Sequence, residues 1–290
     1  MNRRRVAEAA AVVLATTHNW SCNRRVPRSA YVPANLAYAA VLVGLARWSG
    51  ISWAELGLDR SSLGEGVRAG AVVGSAVVAA VAGLAAHPRT RPLFHDERVL
   101  AHNPRSAAVE ACYRIPVGTA LAEELAFRSA LLSLSGSRRS WGRSVAWTSS
   151  LFGLWHILPA VDRGPLVDAA DSALPGGYGP AVTGTVAATG IAGAVLAVLR
   201  RRSGSVVAPV MVHAAANVAG FVAARWIDRR DRRAAPPETG ATPLSPEAAD
   251  EILDLTEDGL GVVVGRPDAD HAELTVVLHG AEQVQGGAAR

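Results

Sequence analysis

Residues 203–224 read SGSVVAPVMVHAAANVAGFVAA, a stretch without Asp, Glu, Lys or Arg that still carries a His, an Asn and a Pro. It exceeds the roughly 20 residues that a helix needs to cross a bilayer core. Four more windows, 29–46, 69–88, 144–161 and 172–199, are equally free of charge. All five are apolar on every face, whereas a transmembrane barrel needs apolar and polar residues in alternation. The expected fold class is therefore all-α: a polytopic transmembrane bundle of about seven helices (six to eight). The helices are placed at roughly 6–20, 31–48, 66–86, 106–134, 143–161, 180–200 and 204–227. The third holds Gly66, Gly70 and Gly74 at four-residue spacing, which lets two membrane helices approach closely.

Charge divides the chain in two. Residues 1–233 carry a balance of +13 and residues 234–290 one of −9, within a total of +4. The domains expected are thus a transmembrane domain at 1–233 and an acidic, disordered or minimally structured tail at 234–290. In the tail, Ser245-Pro246-Glu247 is a helix start for about 246–258, and Val262–Val264 and Leu274–Leu278 are possible strands. All 29 basic residues are Arg. Without Lys there is no Walker A loop and no Schiff-base chemistry, so no nucleotide partner is expected. The arginines flank apolar segments, where interfacial anchoring explains them and nucleic acid does not. Cys22 and Cys112 are too few for a disulfide framework or a structural zinc site. Arg3-Arg4-Arg5 before the short apolar run resembles a signal sequence, but no clear cleavage site follows, so a retained first helix is expected.

The chemistry is concentrated in three of the apolar segments. Leu121-Ala122-Glu123-Glu124-Leu125-Ala126-Phe127-Arg128 places two carboxylates and a guanidinium inside a helix, at a cost of several kcal/mol unless they are paired or hydrated. Glu124 and Arg128 share a face and can pair; Glu123 has no such local partner, which suits general acid/base work. Phe152-Gly153-Leu154-Trp155-His156 puts a histidine near mid-helix with Phe152 one turn earlier on the same face, as a wall. His213-Ala214-Ala215-Ala216-Asn217 points two hydrogen-bonding side chains the same way across small residues. Three polar sites on three membrane helices are expected to converge on one pocket. The other histidines in the first half, His18, His87, His95 and His102, are placed in or beside loops without polar partners. The 161–179 segment with Asp162, Asp168 and Asp171 reads as a solvated loop.

Glu123-Glu124-x-x-x-Arg128, Phe152-x-x-x-His156 and His213-x-x-x-Asn217, in this order and on separate helices, resemble the three motifs of the CPBP family. That family groups the CAAX prenyl protease-like membrane proteins with bacteriocin-processing or immunity-type (Abi) members. The motif core covers about residues 105–227, and Ser52-Trp53-Ala54-Glu55-Leu56-Gly57-Leu58 is similar to the family's lead-in to a Gly-rich helix. One departure is Ser129, where the family usually has Gly, a change expected to affect helix packing more than chemistry.

The resemblance implies an intramembrane endopeptidase acting on a membrane-embedded or membrane-associated peptide. By similarity, Glu123 activates water, His156 assists it, and His213 and Asn217 stabilise the oxyanion, with Glu124, Arg128 and Phe152 in support. No cofactor is expected. The alternative is a zinc-dependent version of the same protease with Glu123, His156 and His213 as ligands, although H-E-x-x-H is absent. A further alternative is a non-catalytic peptide-binding or bacteriocin-immunity-type protein. A transporter is a third, but no duplicate of the Glu-Glu or His-Asn pattern signals internal repeats. The Arg-only, Ala-rich composition suggests a GC-rich bacterium, and hence a multi-pass protein of its inner or plasma membrane.

Overall fold

Each expected helix has a helical counterpart, although the one over 143–161 is broken in two and the last runs on to Ala234. The computed structural model describes residues 3–94, 99, 102–161, 178–234, 261–264 and 276–279. Helix α1 spans Arg3–Arg24, α2 Tyr31–Trp48 and α3 Leu63–Ala86. Helix α4 runs over 104–136; the Asn103 side chain accepts the Ser106 N–H at its start and Pro104 opens its first turn. Then follow α5 (Trp141–Trp155), the short α6 (Ile157–Val161), α7 (Tyr178–Ser203) and α8 (Val207–Ala234). The expected all-α bundle is what forms, with seven long helices among the described residues. Four stretches are long and apolar enough to cross a membrane: Arg28–Trp48, Arg60–Ala86, Val182–Ser203 and Val207–Arg233. The motif-bearing α4 and α5 are not among them. Helix α4 carries Glu110, Arg114, Glu123, Glu124 and Arg128, and α5 has only 15 residues.

The arginine excess finds its explanation at the ends of the helices. Six of the seven Trp rings have a guanidinium over them: Trp20 under Arg25, Trp48 under Arg3, Trp53 under Arg47, Trp141 under Arg201, Trp147 under Arg139 and Trp226 under Arg230. Amphipathic rings and arginines of this kind sit at the membrane–water interface. The seventh, Trp155, instead packs against Phe127, Tyr38 and His18.

Two departures from regular helix bear on the site. In α4, Glu110–Leu121 and Leu125–Leu131 are wide-turn π-helix on either side of a single α turn, Ala122–Glu124. Pro116 lies in the first stretch and removes one backbone donor. The second departure corrects the expected continuous helix over 143–161. Helix α5 stops at Trp155, and His156 (φ −85°, ψ 0°) stands at a break before α6 rather than in mid-helix. The cause is Pro159, which has no N–H for the Trp155 carbonyl four residues earlier and crowds it with its ring.

Glycines set the closest helix approaches. A methyl at Gly66 would stand 2.6 Å from Ser205 Cβ, one at Gly70 2.9 Å from Met211 Cβ, and one at Gly74 3.5 Å from Ala215 Cβ. The expected packing role of these three is thus directed at α8 and the residues leading into it. Between α5 and α7 the contact is as tight and meets main chain: a methyl at Gly153 would lie 2.6 Å from the Val186 carbonyl oxygen. Main chain cannot yield there, so Gly153→Ala is expected to cost about 1–3 kcal/mol. A lowered thermal midpoint in detergent would show it; an unchanged midpoint would mean that α5 and α7 slide apart freely.

The lead-in loop between α2 and α3 is pinned from several sides. Ser52 N–H donates to Glu55 Oε2 at 2.7 Å and Glu55 N–H to Ser52 Oγ at 3.1 Å; the Ser52 backbone N–H, and after it the Ser52 hydroxyl, hold the Glu55 carboxyl below its usual range. Ser129 Oγ donates to the Leu56 carbonyl and Ser133 Oγ to that of Glu55, both at 2.7 Å. Val206 N–H donates to Gly57, whose φ of 70° suits glycine. The hydroxyl of Ser129 therefore ties α4 to this loop.

The chain divides into two compact units, Met1–Arg232 and Arg233–Arg290. In the second, β1 (Gly261–Val264) and β2 (Val276–His279) pair antiparallel, with Gly261 opposite His279 and Val264 opposite Val276. The helix expected at 246–258, Asp162, Asp168 and Asp171, and His95 and His271 lie outside the described residues.

Candidate active site

The single α turn of α4 faces inward, and α2 packs along it. Glu124 is fully buried, Arg128 is 2% exposed and Glu123 9%. Arg128 Nη1 lies 3.1 Å from Glu124 Oε1, the ion pair expected from the i, i+4 spacing. The guanidinium rests 3.8 Å above the Phe152 ring of α5, in a space that Gly193 of α7 keeps open: a methyl there would be 3.1 Å from both Arg128 Nη2 and Phe152.

His213 of α8 completes the cluster. Its Nδ1–H donates to Glu124 Oε1 at 2.8 Å, which leaves Nε2 directed toward Glu123, 4.0 Å from Oε2. Glu124 thus holds both Arg128 and His213, and its hydrogen bond orients the imidazole. Phe152 stands between the two histidines, edge-on to His156 at 4.7 Å and to His213 at 6.1 Å. His156 Nδ1–H donates to the Phe152 carbonyl at 2.8 Å, which orients the ring. Among the described residues, Glu123 Oε2, Glu124 Oε2 and both terminal nitrogens of Arg128 are buried without a hydrogen-bond partner. Buried polar atoms in this state call for a further partner such as water.

The structure therefore brings together Glu123, Glu124, Arg128, Phe152 and His213, with His156 across the Phe152 ring. Asn217 is one turn beyond His213 on α8 and exposed, with no hydrogen bond to the others. The suggested zinc ligands do not form a tight set: among the described residues no group of three or more His, Cys, Asp or Glu could hold a metal ion.

Three of the histidines set aside on sequence grounds do have polar partners; His87 Nδ1 accepts the Arg89 N–H at 3.3 Å. His18 lies within α1, not in a loop; its Nε2–H donates to Asn35 Oδ1 at 2.6 Å and its ring stacks on Tyr38 at 4.2 Å. His102 contacts Ser106 Oγ and Arg28 Nη2 and lies edge-on to Phe221. Uncharged polar residues inside an apolar segment, Asn19 and Asn35 above all, were the available signal, because such groups bond across helices when membrane-buried. Cys22 Sγ also contacts Asn35 Oδ1, at 3.4 Å, and Cys112 is exposed; both are free thiols.

Two carboxylates, a guanidinium and the His213 imidazole are thus buried together, with His156 partly buried beside Phe152. Residues 106–219 match the family described as type II CAAX prenyl endopeptidase Rce1-like. The matched segment begins at the start of α4, ends within α8, and contains all three motifs. Over that segment, well under half of the chain, the protein is similar to the CAAX protease-like family. No curated protein and no solved structure matches the chain.

Proposed function

We propose that the protein is a glutamate-dependent intramembrane endopeptidase. The observation that carries this reading is Glu123 Oε2, buried, unpartnered and 4.0 Å from His213 Nε2, a gap that one water can bridge. Glu123 takes a proton from that water, and the hydroxide attacks the scissile carbonyl. His156 Nε2 assists by orienting the water. The oxyanion is met by His213 Nε2–H and by Asn217, donors of a kind worth about 3–4 kcal/mol each in other proteases. Glu123 then returns its proton to the leaving amine nitrogen as the C–N bond breaks. With His213 protonated, the charges of Glu123, Glu124, Arg128 and His213 cancel, which is how a buried ionic cluster becomes tolerable. Glu124 and Arg128 position His213 and Phe152 without touching substrate.

The substrate class is a membrane-embedded or membrane-associated peptide, since His213 stands on α8, one of the four helices long and apolar enough to cross a membrane; prenylation is not required of it. The host membrane is the inner or plasma membrane of a bacterium. The direct test is a peptide-library assay of purified protein beside Glu123→Gln. In the same assay, strong zinc chelators are expected to leave the rate unchanged, and metal analysis to find well below one zinc per chain. Inactivation by chelation, restored by zinc, would instead make Glu123, His156 and His213 ligands. Asn217→Ala would then matter less than either His→Ala, whereas in the metal-free reaction it lowers turnover more than affinity.

A further inference from the structure

The break at His156 leaves a carbonyl that α5 and α6 cannot satisfy. In a continuous helix the N–H of residue 159 would take the Trp155 carbonyl, and Pro159 has none. Asn19 supplies the donor from α1: its Nδ2 reaches the Trp155 carbonyl oxygen at 3.0 Å, across 136 positions of sequence. Asn19 is 8% exposed and is held in its turn. Asn23, one turn later, donates from Nδ2 to the Asn19 backbone carbonyl and to Asn19 Oδ1, each at 2.8 Å. Because Oδ1 accepts from Asn23, the amide orientation is fixed by the network and Nδ2 must face Trp155.

The Trp155 ring is gripped as well as its carbonyl. It packs 5.8 Å from Tyr38 and 6.3 Å from His18, near parallel to both, and 5.4 Å edge-on from Phe127. His18 is anchored through Asn35, whose Nδ2 donates to the Gly118 carbonyl of α4 at 2.9 Å. The residue immediately before His156 is thus clamped by α1 and α2, neither of which carries a motif residue.

We propose that Asn19 is a positioning residue for His156: its amide replaces the N–H that Pro159 lacks and holds open the helix break from which the imidazole reaches the site. The inference rests on the reading of His156 as part of the proteolytic centre. A cap that served stability alone would leave turnover untouched, and this difference decides the test.

Asn19→Leu keeps the approximate size and removes the donor; Asn19→Gln keeps a donor. In Asn19→Leu, kcat for peptide cleavage is expected to fall about ten- to a hundredfold with KM within about twofold of wild type, the signature of a misplaced catalytic group. Asn19→Gln should recover part of that loss. In a His156→Ala background Asn19→Leu should cause no further fall, because the two act through one element. Without substrate, the imidazole 15N resonance of His156, assigned by its disappearance in His156→Gln, should shift in Asn19→Leu. The inference is overturned by wild-type kcat in Asn19→Leu, by a full additional loss in the His156→Ala background, or by an unmoved His156 resonance. Cleavage that survives His156→Ala counts against the role given to His156 in proteolysis; the substrate-free resonance then decides alone for or against Asn19.

Discussion

Glu123→Gln is expected to abolish peptide cleavage while the protein still inserts, purifies and unfolds at the wild-type temperature. The substitution is nearly isosteric and keeps an oxygen acceptor, so the packing of α2 along this turn of α4 is undisturbed. What disappears is the base. Proton abstraction by a positioned side chain contributes about a hundred- to ten-thousandfold, so the residual rate should fall at least that far. Stability should hold because Glu123 Oε2 has no hydrogen bond to lose among the described residues and stands 4.0 Å from His213. Full activity in Glu123→Gln would remove the carboxylate from the mechanism. Loss of folding would make it a structural anion like Glu124.

Arg128→Ala should behave in the opposite way, failing in stability first. The guanidinium is buried, lies 3.1 Å from Glu124 and covers the Phe152 ring at 3.8 Å. Truncation leaves Glu124, which is fully buried, with His213 as its one charge partner and opens a void above Phe152. Breaking a buried pair from one side typically costs about 3–5 kcal/mol, a large share of a domain's stability. Yield and thermal midpoint in detergent should therefore fall with activity. The control is the pair Glu124→Gln/Arg128→Met, which removes both charges together. It should recover stability relative to Arg128→Ala, since no unpaired charge remains, yet stay slow because His213 has lost its orienting carboxylate. A stable, inactive Arg128→Ala would give the guanidinium a direct part in the reaction and refute this division of roles.

Much of this was legible in the sequence. Uninterrupted apolar windows allow only helices in a bilayer, since every backbone donor must be satisfied within its own segment; the helices follow, but not the break at His156. The i, i+4 spacing of Glu124 and Arg128 fixed their ion pair, and Phe152 with His156 followed from the same period. What remained hidden depends on contacts between elements distant in sequence. The motif spacing predicts that His213 belongs to the site, but not that its Nδ1 is bonded to Glu124, which turns Nε2 toward Glu123. Pro159 was visible, yet the partner of the carbonyl it frees lies 136 residues away in α1. His18 and Asn35 read as unconnected polar residues until α1 and α2 packed side by side and placed them 2.6 Å apart. The sequence by itself determined which segments are helices and which side chains a bilayer cannot tolerate unpaired, because hydropathy and helical period are local properties. The tertiary structure alone decided the partner of each polar group, because a buried donor takes whichever acceptor the packing of other helices brings within 3 Å.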